Sequence, residues 1–227
     1  MTDDPGIVYL VPTPIGNMGD ITARAVEVLS AVELIACEDT RNSGSLLKKL
    51  GISKKLISYH EFNESSRAQQ LVELVRQGKD IAVVTDAGSP GVSDPAYRIV
   101  RAAIDNGLTV SALPGPCAVI PALTASGLPT DRFFFEGYLS NKSAARRRRL
   151  EGLKDFEHTL VFYESPHRIH KTLGDMLEVL GDRPACIARE ISKKFEEYLR
   201  GTLAELNAQI AARTLKGEIV VVVAGHE

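Results

Sequence analysis

The stretch IAVVTDAGSPGVSDPAYRIVRAAIDNG, Ile81 to Gly107, decides the fold. Four residues suited to a buried strand run into a loop of glycine, proline, serine and aspartate, and an apolar helical pattern resumes at once and ends on glycine. Such strand–loop–helix units are where α/β proteins hold ligands. Working outward, the unit repeats. IVYLV at 7 to 11 precedes TARAVEVLSAV at 22 to 32, whose Ala25, Val28, Leu29 and Val32 share one helical face. ELIACE at 33 to 38 reads as the next strand, followed by a short helix, SLLKKLG, and the strand LISYH at 56 to 60. A helix follows from about Glu64 to Gln77, with Asn63 as its N-cap and Gly78 as its stop. LTVSALPG closes the first half. Alternation of strand and helix predicts an α/β domain with a mainly parallel sheet.

The second half changes grain. FFFEGYL at 133 to 139, TLVFYE at 159 to 164, ACIARE at 185 to 190, FEEYLRGT at 195 to 202 and EIVVVVAG at 218 to 225 read as strands, and two of their connections are short. Short connections imply antiparallel neighbours, so a mixed sheet is expected. Proline and glycine cluster in LPGPCAVIPALTASGLPTD, and the expected domains are 1–113 and 114–227. We see no repeat and no low-complexity tract.

The chain has 227 residues, 44% of them hydrophobic and 25% charged, with a formal net charge of -2. These are the proportions of an ordinary globular protein, able to bury roughly 70% of its unfolded surface. A near-neutral total does not exclude nucleic acid, because phosphate binding needs only a local basic patch. Cys37, Cys117 and Cys186 are odd in number and far apart, which points to neither a disulfide framework nor a zinc site. The N-terminus carries acids where a signal peptide needs cations, and no apolar run approaches ~18 residues, so a cytoplasmic protein without a membrane span is expected.

The loops argue about the ligand. Neither G-x-x-x-x-G-K-[ST] nor G-x-G-x-x-G occurs after a strand. Asp86 and Asp94 would place negative charge beside a helix N-terminus that otherwise attracts anions. A neutral or cationic ligand rich in hydroxyls is expected, and S-adenosylmethionine fits, with its sulfonium, ammonium, ribose diol and adenine and no phosphate. The plain alternative makes Asp86 a turn residue and Asp94 a cap, with Pro95 at the first helical position. A third loop, LPGPCAV at 113 to 119, repeats the logic: Gly115 between prolines fixes a tight backbone, and Cys117 and Ala118 leave room. Cys117 reads as a small packed thiol rather than a nucleophile, since no histidine lies near it in sequence.

Seven blocks, VPTPIGNMGDIT, CEDTRNSGSLL, SYHEFNE, DAGSPGVSDP, LPGPCA, YESPHRI and KGEIVVVVAG, occur in the order found in the ribosomal RNA small-subunit methyltransferase I family. The chain resembles that branch of the tetrapyrrole (class III) methylases over residues 7 to 225. The resemblance implies two α/β domains with S-adenosylmethionine in the cleft between them, a homodimer, and methyl transfer to the ribose 2′-hydroxyl of a cytidine in the decoding region of small-subunit rRNA. The partner is that rRNA or the assembled small subunit. Carried over, Pro12, Thr13 and Pro14, the turn Asp86, Ala87, Gly88 and Ser89, and Pro116, Cys117 and Ala118 match segments that line the cofactor. From the second domain, Tyr163 and Glu164 match a strand end on the adenine side, and Ala188 and the run Lys216, Gly217 and Glu218 lie in later matching segments. GYLSNK stands where relatives often read Gly-Phe-Leu-Pro-Arg-Lys, so RNA contact there is expected to differ. Relatives often continue into a helical C-terminal segment beyond the position of Glu227, and RNA docking by such a segment is not expected here.

Methyl transfer from a sulfonium is an in-line displacement that needs no metal, and a base that takes the hydroxyl proton could add ~10² to 10⁴ in rate. Candidates fall at strand ends: Glu38, Asp39 and Arg41; His60, Glu61, Asn63 and Glu64; Glu164, His167 and Arg168. Arg41 and Arg168 are expected to orient the RNA backbone, with Glu61 or His60 removing the proton. Alternatively the first group is a local salt bridge with Thr40 as a cap, and HEFNE only begins a helix. The one concentrated positive run is KSAARRRRLEGLK, 142 to 154. On a helix Lys142, Arg146 and Arg149 share a side and are expected to touch phosphate, with Leu150 and Leu153 facing inward. A solvated helix face is the other reading. Two rivals share the fold: a tetrapyrrole or precorrin methylase and a non-catalytic RNA-binding module.

Overall fold

The computed structural model describes residues 4–226. Met1 to Asp3 and Glu227, which enter the expected domains and the expectation about N-terminal charge, lie outside the described residues. The chain forms two compact units, Met1–Cys117 and Ala118–Glu227.

In the first unit five short strands, β1 (Ile7–Leu10), β2 (Leu34–Cys37), β3 (Lys55–Ser58), β4 (Ile81–Val84) and β5 (Thr109–Ala112), pair in the order β3-β2-β4-β1-β5. Every pairing is parallel. β2 and β4 are buried along their whole length because helices cover both faces of the sheet. Helices α1 (Ala23–Ala31) and α2 (Thr40–Lys49) put Ala25, Leu29 and Leu47 against Ile35, Cys37 and Val84. Helices α3 (Glu64–Arg76) and α4 (Tyr97–Asp105) put Leu71, Val72 and Ile99 against Leu34, Ala36 and Val83 on the other face. Neighbouring strands β1 and β4 therefore send the chain to opposite faces, which opens a crevice at their carboxyl ends.

The second unit follows α5 (Val119–Ser126) with β6 (Phe133–Tyr138), α6 (Ser143–Glu151), β7 (Thr159–Glu164), α7 (Ile169–Leu180), β8 (Pro184–Arg189), β9 (Glu197–Thr202), α8 (Leu203–Ile210) and β10 (Ile219–Val223). Its sheet runs β6-β7-β10-β8-β9, with β6 parallel to β7 and the rest antiparallel. The mixed sheet is as the short connections predict. A core of Leu150, Phe162, Leu173, Met176, Leu206 and Val221 joins α6, α7 and α8 to one face. Among the described residues no helix is long and apolar enough to cross a membrane.

Two local expectations are corrected and one is refined. α2 begins at Thr40, well before SLLKKLG, because Asp39 accepts the Arg41 N–H and ties down a first turn made of weak helix formers. Asn63 is the N-cap residue of α3 as expected, but its side chain makes no capping hydrogen bond; its Oδ1 accepts the His60 N–H and closes the preceding turn. Asp94 does not cap α4, which starts at Tyr97 after Ala96. The buried Tyr59 hydroxyl, just past the end of β3, accepts the Ile99 N–H at 3.2 Å and so takes the capping role.

Candidate active site

Three loops meet at the carboxyl ends of β1, β4 and β5. Thr13 and Gly88 exchange backbone hydrogen bonds of 2.9 and 3.0 Å, and the Thr13 hydroxyl donates to the Thr85 carbonyl at 3.1 Å. Gly88 is left-handed, φ 84°, which suits glycine best. The Ser89 hydroxyl donates to the Pro116 carbonyl at 2.9 Å. A Cβ on Gly115 would stand 2.7 Å from the Pro12 Cβ, so the third loop closes only with glycine there. Pro12, Thr13, Pro14, Asp86, Ala87, Gly88, Ser89, Pro116 and Cys117 are thus segments of one closed arrangement.

Carboxylates gather beside it. Asp86 accepts from the Asp39 N–H at 3.3 Å and from Asn42 Nδ2 at 2.7 Å, fastening β4's exit to the start of α2, so it is more than a turn residue. Asp39 pairs with Arg41 at 2.7 Å, and those hydrogen bonds hold its carboxyl down to about 2. The expected local salt bridge is present, with Asp39 rather than Thr40 as the cap. The Arg41 side chain is 89% exposed. Glu38 is partly buried, and its carboxyl is raised by that burial and by the charge of Asp86. Burial first, then Glu38 and Asp86, push Asp94 up to about 6.

A raised carboxyl pKa stabilises the fold only while the group is protonated. That contribution is whole below the ordinary value of 3.8 and is lost as pH rises through about 6. Asp94→Asn is therefore expected to raise the melting temperature at pH 8 and to leave it nearly unchanged at pH 3.5. Equal shifts at both pH values in a thermal denaturation series would refute this origin.

Two pockets flank the crevice. One, about 260 Å³, is walled by Pro14, Gly16, Met18, Asn42 and Asp86 among others. The other, about 380 Å³, is walled by Glu61, Glu64, Ser93, Asp94 and Tyr97 among others. His60 sits between the strand end and the turn that carries Glu61. Asn63 Nδ2 lies 3.2 Å from His60 Nε2, and because Asn63 Oδ1 is committed to the His60 N–H, Nε2 accepts and the ring proton is assigned to Nδ1.

In the second unit Glu164 is buried and fully engaged. It accepts from the Ser165 N–H at 2.6 Å, from Arg168 Nε at 2.9 Å and from the Thr172 hydroxyl. Arg168 also reaches the Leu139 carbonyl at 3.1 Å and the Asn141 side chain. Tyr163 packs edge-on against Phe135, and Ala188 is wholly buried within β8. Lys216, Gly217 and Glu218 are exposed in a turn held by Arg189, which donates to the Lys216 carbonyl at 3.0 Å, and by Lys193, which pairs Glu190 with Glu218.

The basic helix corrects a sequence expectation. Lys142 is exposed, but Arg146 is 3% exposed and points inward to Asp175, its Nε donating at 2.7 Å. It cannot touch phosphate without unfolding α6. Arg149 makes a two-pronged contact of 2.6 Å with Glu136, leaving Lys142 at the N-cap and Arg148 within α6 as outward cations without an ion pair among the described residues. Leu150 and Leu153 face inward as expected. Sequence reasoning does not single out Asn42, Tyr59 or Tyr97; Asn42 meets its partner across 44 residues, which no local spacing marks.

Comparison with known proteins adds to this geometry. The sequence model of the family described as tetrapyrrole (corrin/porphyrin) methylases matches residues 7–207. The ribosomal RNA small subunit methyltransferase I of Micromonospora olivasterospora is 50% identical over 221 residues, covering 97% of this chain and 71% of that protein. The protein of the same name from Vibrio cholerae serotype O1 is 51% identical over 223 residues, covering 97% and 77%. Among solved structures, a cobalt precorrin-4 methyltransferase superposes with a TM-score of 0.69 at 16% identity, covering 96% of this chain and 94% of that one. A uroporphyrin-III C-methyltransferase from Thermus thermophilus gives 0.66 at 22%, with the same coverages. At such identities the structures share the fold alone.

Proposed function

The chain belongs to the tetrapyrrole methylase family, in the branch of ribosomal RNA small subunit methyltransferase I, and from that premise we propose that it methylates the ribose 2′-oxygen of a cytidine in the decoding region of small-subunit rRNA. The observation that carries the reading is identity of about one half over nearly the whole chain to proteins named as rRNA methyltransferases. We carry the cytoplasmic location and the homodimer with it, on the likeness to relatives alone.

S-adenosylmethionine is the methyl donor of this family. The first unit's loops fit it: Glu38, raised by burial and then by the charge of Asp86, marks a concentration of negative charge there, so a cationic ligand is favoured and a phosphate is repelled. When bound, it supplies an electrophilic methyl group on a sulfonium. Pro14 and Asp86 would form one wall for it, and Gly88 and Gly115 keep the backbone close.

The protein's own contribution is positioning, which can supply up to ~7 to 11 kcal/mol, and proton removal. We assign the proton to Glu38. Its raised carboxyl is a better base than an ordinary glutamate, and it makes no hydrogen bond among the described residues. Both groups expected from sequence serve less well. His60 spends Nε2 on Asn63, and Glu61 lies in the wall of the outer pocket. Arg41 is free enough to meet RNA phosphate, whereas Arg168 braces the end of β6.

The test is nucleoside mass spectrometry of small ribosomal subunits that lack the modification, after incubation with the protein and S-adenosylmethionine. New 2′-O-methylcytidine is the expected product. Methylation of a corrinoid precursor with no methylated nucleoside would replace this reading with a tetrapyrrole methylase. Cofactor binding with no turnover on either would leave a binding module.

A further inference from the structure

The pocket walled by Glu61, Asp94 and Tyr97 is unused by the chemistry above, and its lining is unusual for a surface hollow. Tyr97 is 76% exposed at the first position of α4, and the turn that contributes Glu61 also presents Phe62, 93% exposed. Two aromatic rings this open to water beside one hollow are the kind of exposed apolar surface that marks an interaction site. We propose that this pocket receives the unstacked target base of the RNA, a cytosine, with Tyr97 as its stacking face and Asp94 and Glu61 reading its amino edge. The inference rests on the rRNA methyltransferase reading and names how that site selects its nucleotide.

Sequence-specific RNA recognition works on splayed bases that stack on aromatic side chains. The volume, about 380 Å³, exceeds what one base needs. The hydrogen-bonding groups also match cytosine. Asp94 makes no hydrogen bond or ion pair among the described residues, and at about 6 its carboxyl is protonated far more readily than an ordinary aspartate. A carboxylic acid can donate to cytosine N3 while its carbonyl oxygen accepts one N4 hydrogen. Glu61, also without a partner, can accept the second N4 hydrogen, the pairing that carboxylates make with cytosine. Uracil would turn its O4 acceptor toward Glu61 and be repelled. Glu64 is excluded from this role because Arg98 holds it at 2.7 Å. The pocket also adjoins the chemistry, since Asp94 feels the charge of Glu38 and Asp86.

The test uses the full chain with unmodified small subunits, and with subunits rebuilt from rRNA carrying uridine at the target position. Tyr97→Ala is expected to lower kcat/KM on the cytidine substrate about tenfold or more, within the range stacking gives, and Tyr97→Phe to restore it. Glu61→Gln and Asp94→Ala are each expected to narrow the preference for cytidine over uridine, whereas Asp94→Asn, which keeps one donor and one acceptor, is expected to retain it. S-adenosylmethionine affinity, measured by calorimetry, should not change in the Tyr97 and Glu61 variants, which separates base recognition from a structural effect. Wild-type kcat/KM in Tyr97→Ala, or an unaltered cytidine preference in both Glu61→Gln and Asp94→Ala, would overturn the pocket assignment while leaving the rRNA reading intact. No methylation of either subunit by the wild-type protein would overturn both.

Discussion

Asp175→Ala is expected to destabilise the second unit by about 3 to 5 kcal/mol, the range found when one partner of a buried ion pair is removed. Arg146 lies on the same stripe of α6 as Leu150, and its side chain is 3% exposed. Its Nε donates to Asp175 at 2.7 Å and its Nη1 donates to the Ser140 carbonyl at 3.1 Å. Asp175 also takes the Ser143 hydroxyl at 3.1 Å. Deleting the carboxylate leaves a guanidinium buried without its counter-charge and a helix start without its tie. The melting temperature should fall by roughly 10 °C or more. The paired replacement Arg146→Met with Asp175→Leu should recover most of the loss, because an apolar pair avoids desolvating two charges. A drop of under 2 °C in Asp175→Ala would show that the pair is not buried in solution. The same geometry predicts that Arg146 variants change stability rather than the salt dependence of RNA binding. Charge reversal at Lys142 or Arg148 should act on that slope instead.

The second large effect concerns rate. Glu38→Gln is expected to lower kcat about 10²- to 10⁴-fold with little change in KM, the pattern of a lost proton acceptor that touches the reacting hydroxyl. Its carboxyl is raised by burial, then by Asp86. As a base it must be ionised, so wild-type kcat should fall on acidification at a pH above the ordinary carboxylate range. Asp86→Asn removes one of the charges that raise it and should move that limb to lower pH. Single-turnover rates across pH 4 to 8 would check both. Wild-type kcat in Glu38→Gln would leave positioning alone to carry the reaction, and full loss in His60→Ala with Glu38→Gln unaffected would return the role to the histidine.

The loops were legible for a reason that can be stated. A strand end facing a ligand must be built from residues of unusual backbone freedom, and Gly88 and Gly115 advertise that in sequence. Missing phosphate fingerprints and misplaced acids pointed to a ligand without phosphate. What stayed hidden was partner choice. Asp94 stands where a helix cap should, ahead of Pro95, yet Tyr59 from the loop after β3 supplies the cap. His60, Glu61 and Glu38 look alike as candidate bases, and only their neighbours tell them apart.

Helix α6 shows the same limit most sharply. Residues 146, 150 and 153 repeat at four and three, and so do 142, 146 and 149; periodicity permits Arg146 on either stripe. By itself the sequence determined two α/β units, one sheet parallel and one mixed, because strand lengths, connection lengths and the period of apolar residues are local properties of the chain. Only the tertiary structure decided that Arg146 turns inward, since that depends on Asp175, 29 residues away on another helix, offering the charge that makes burial of a guanidinium tolerable.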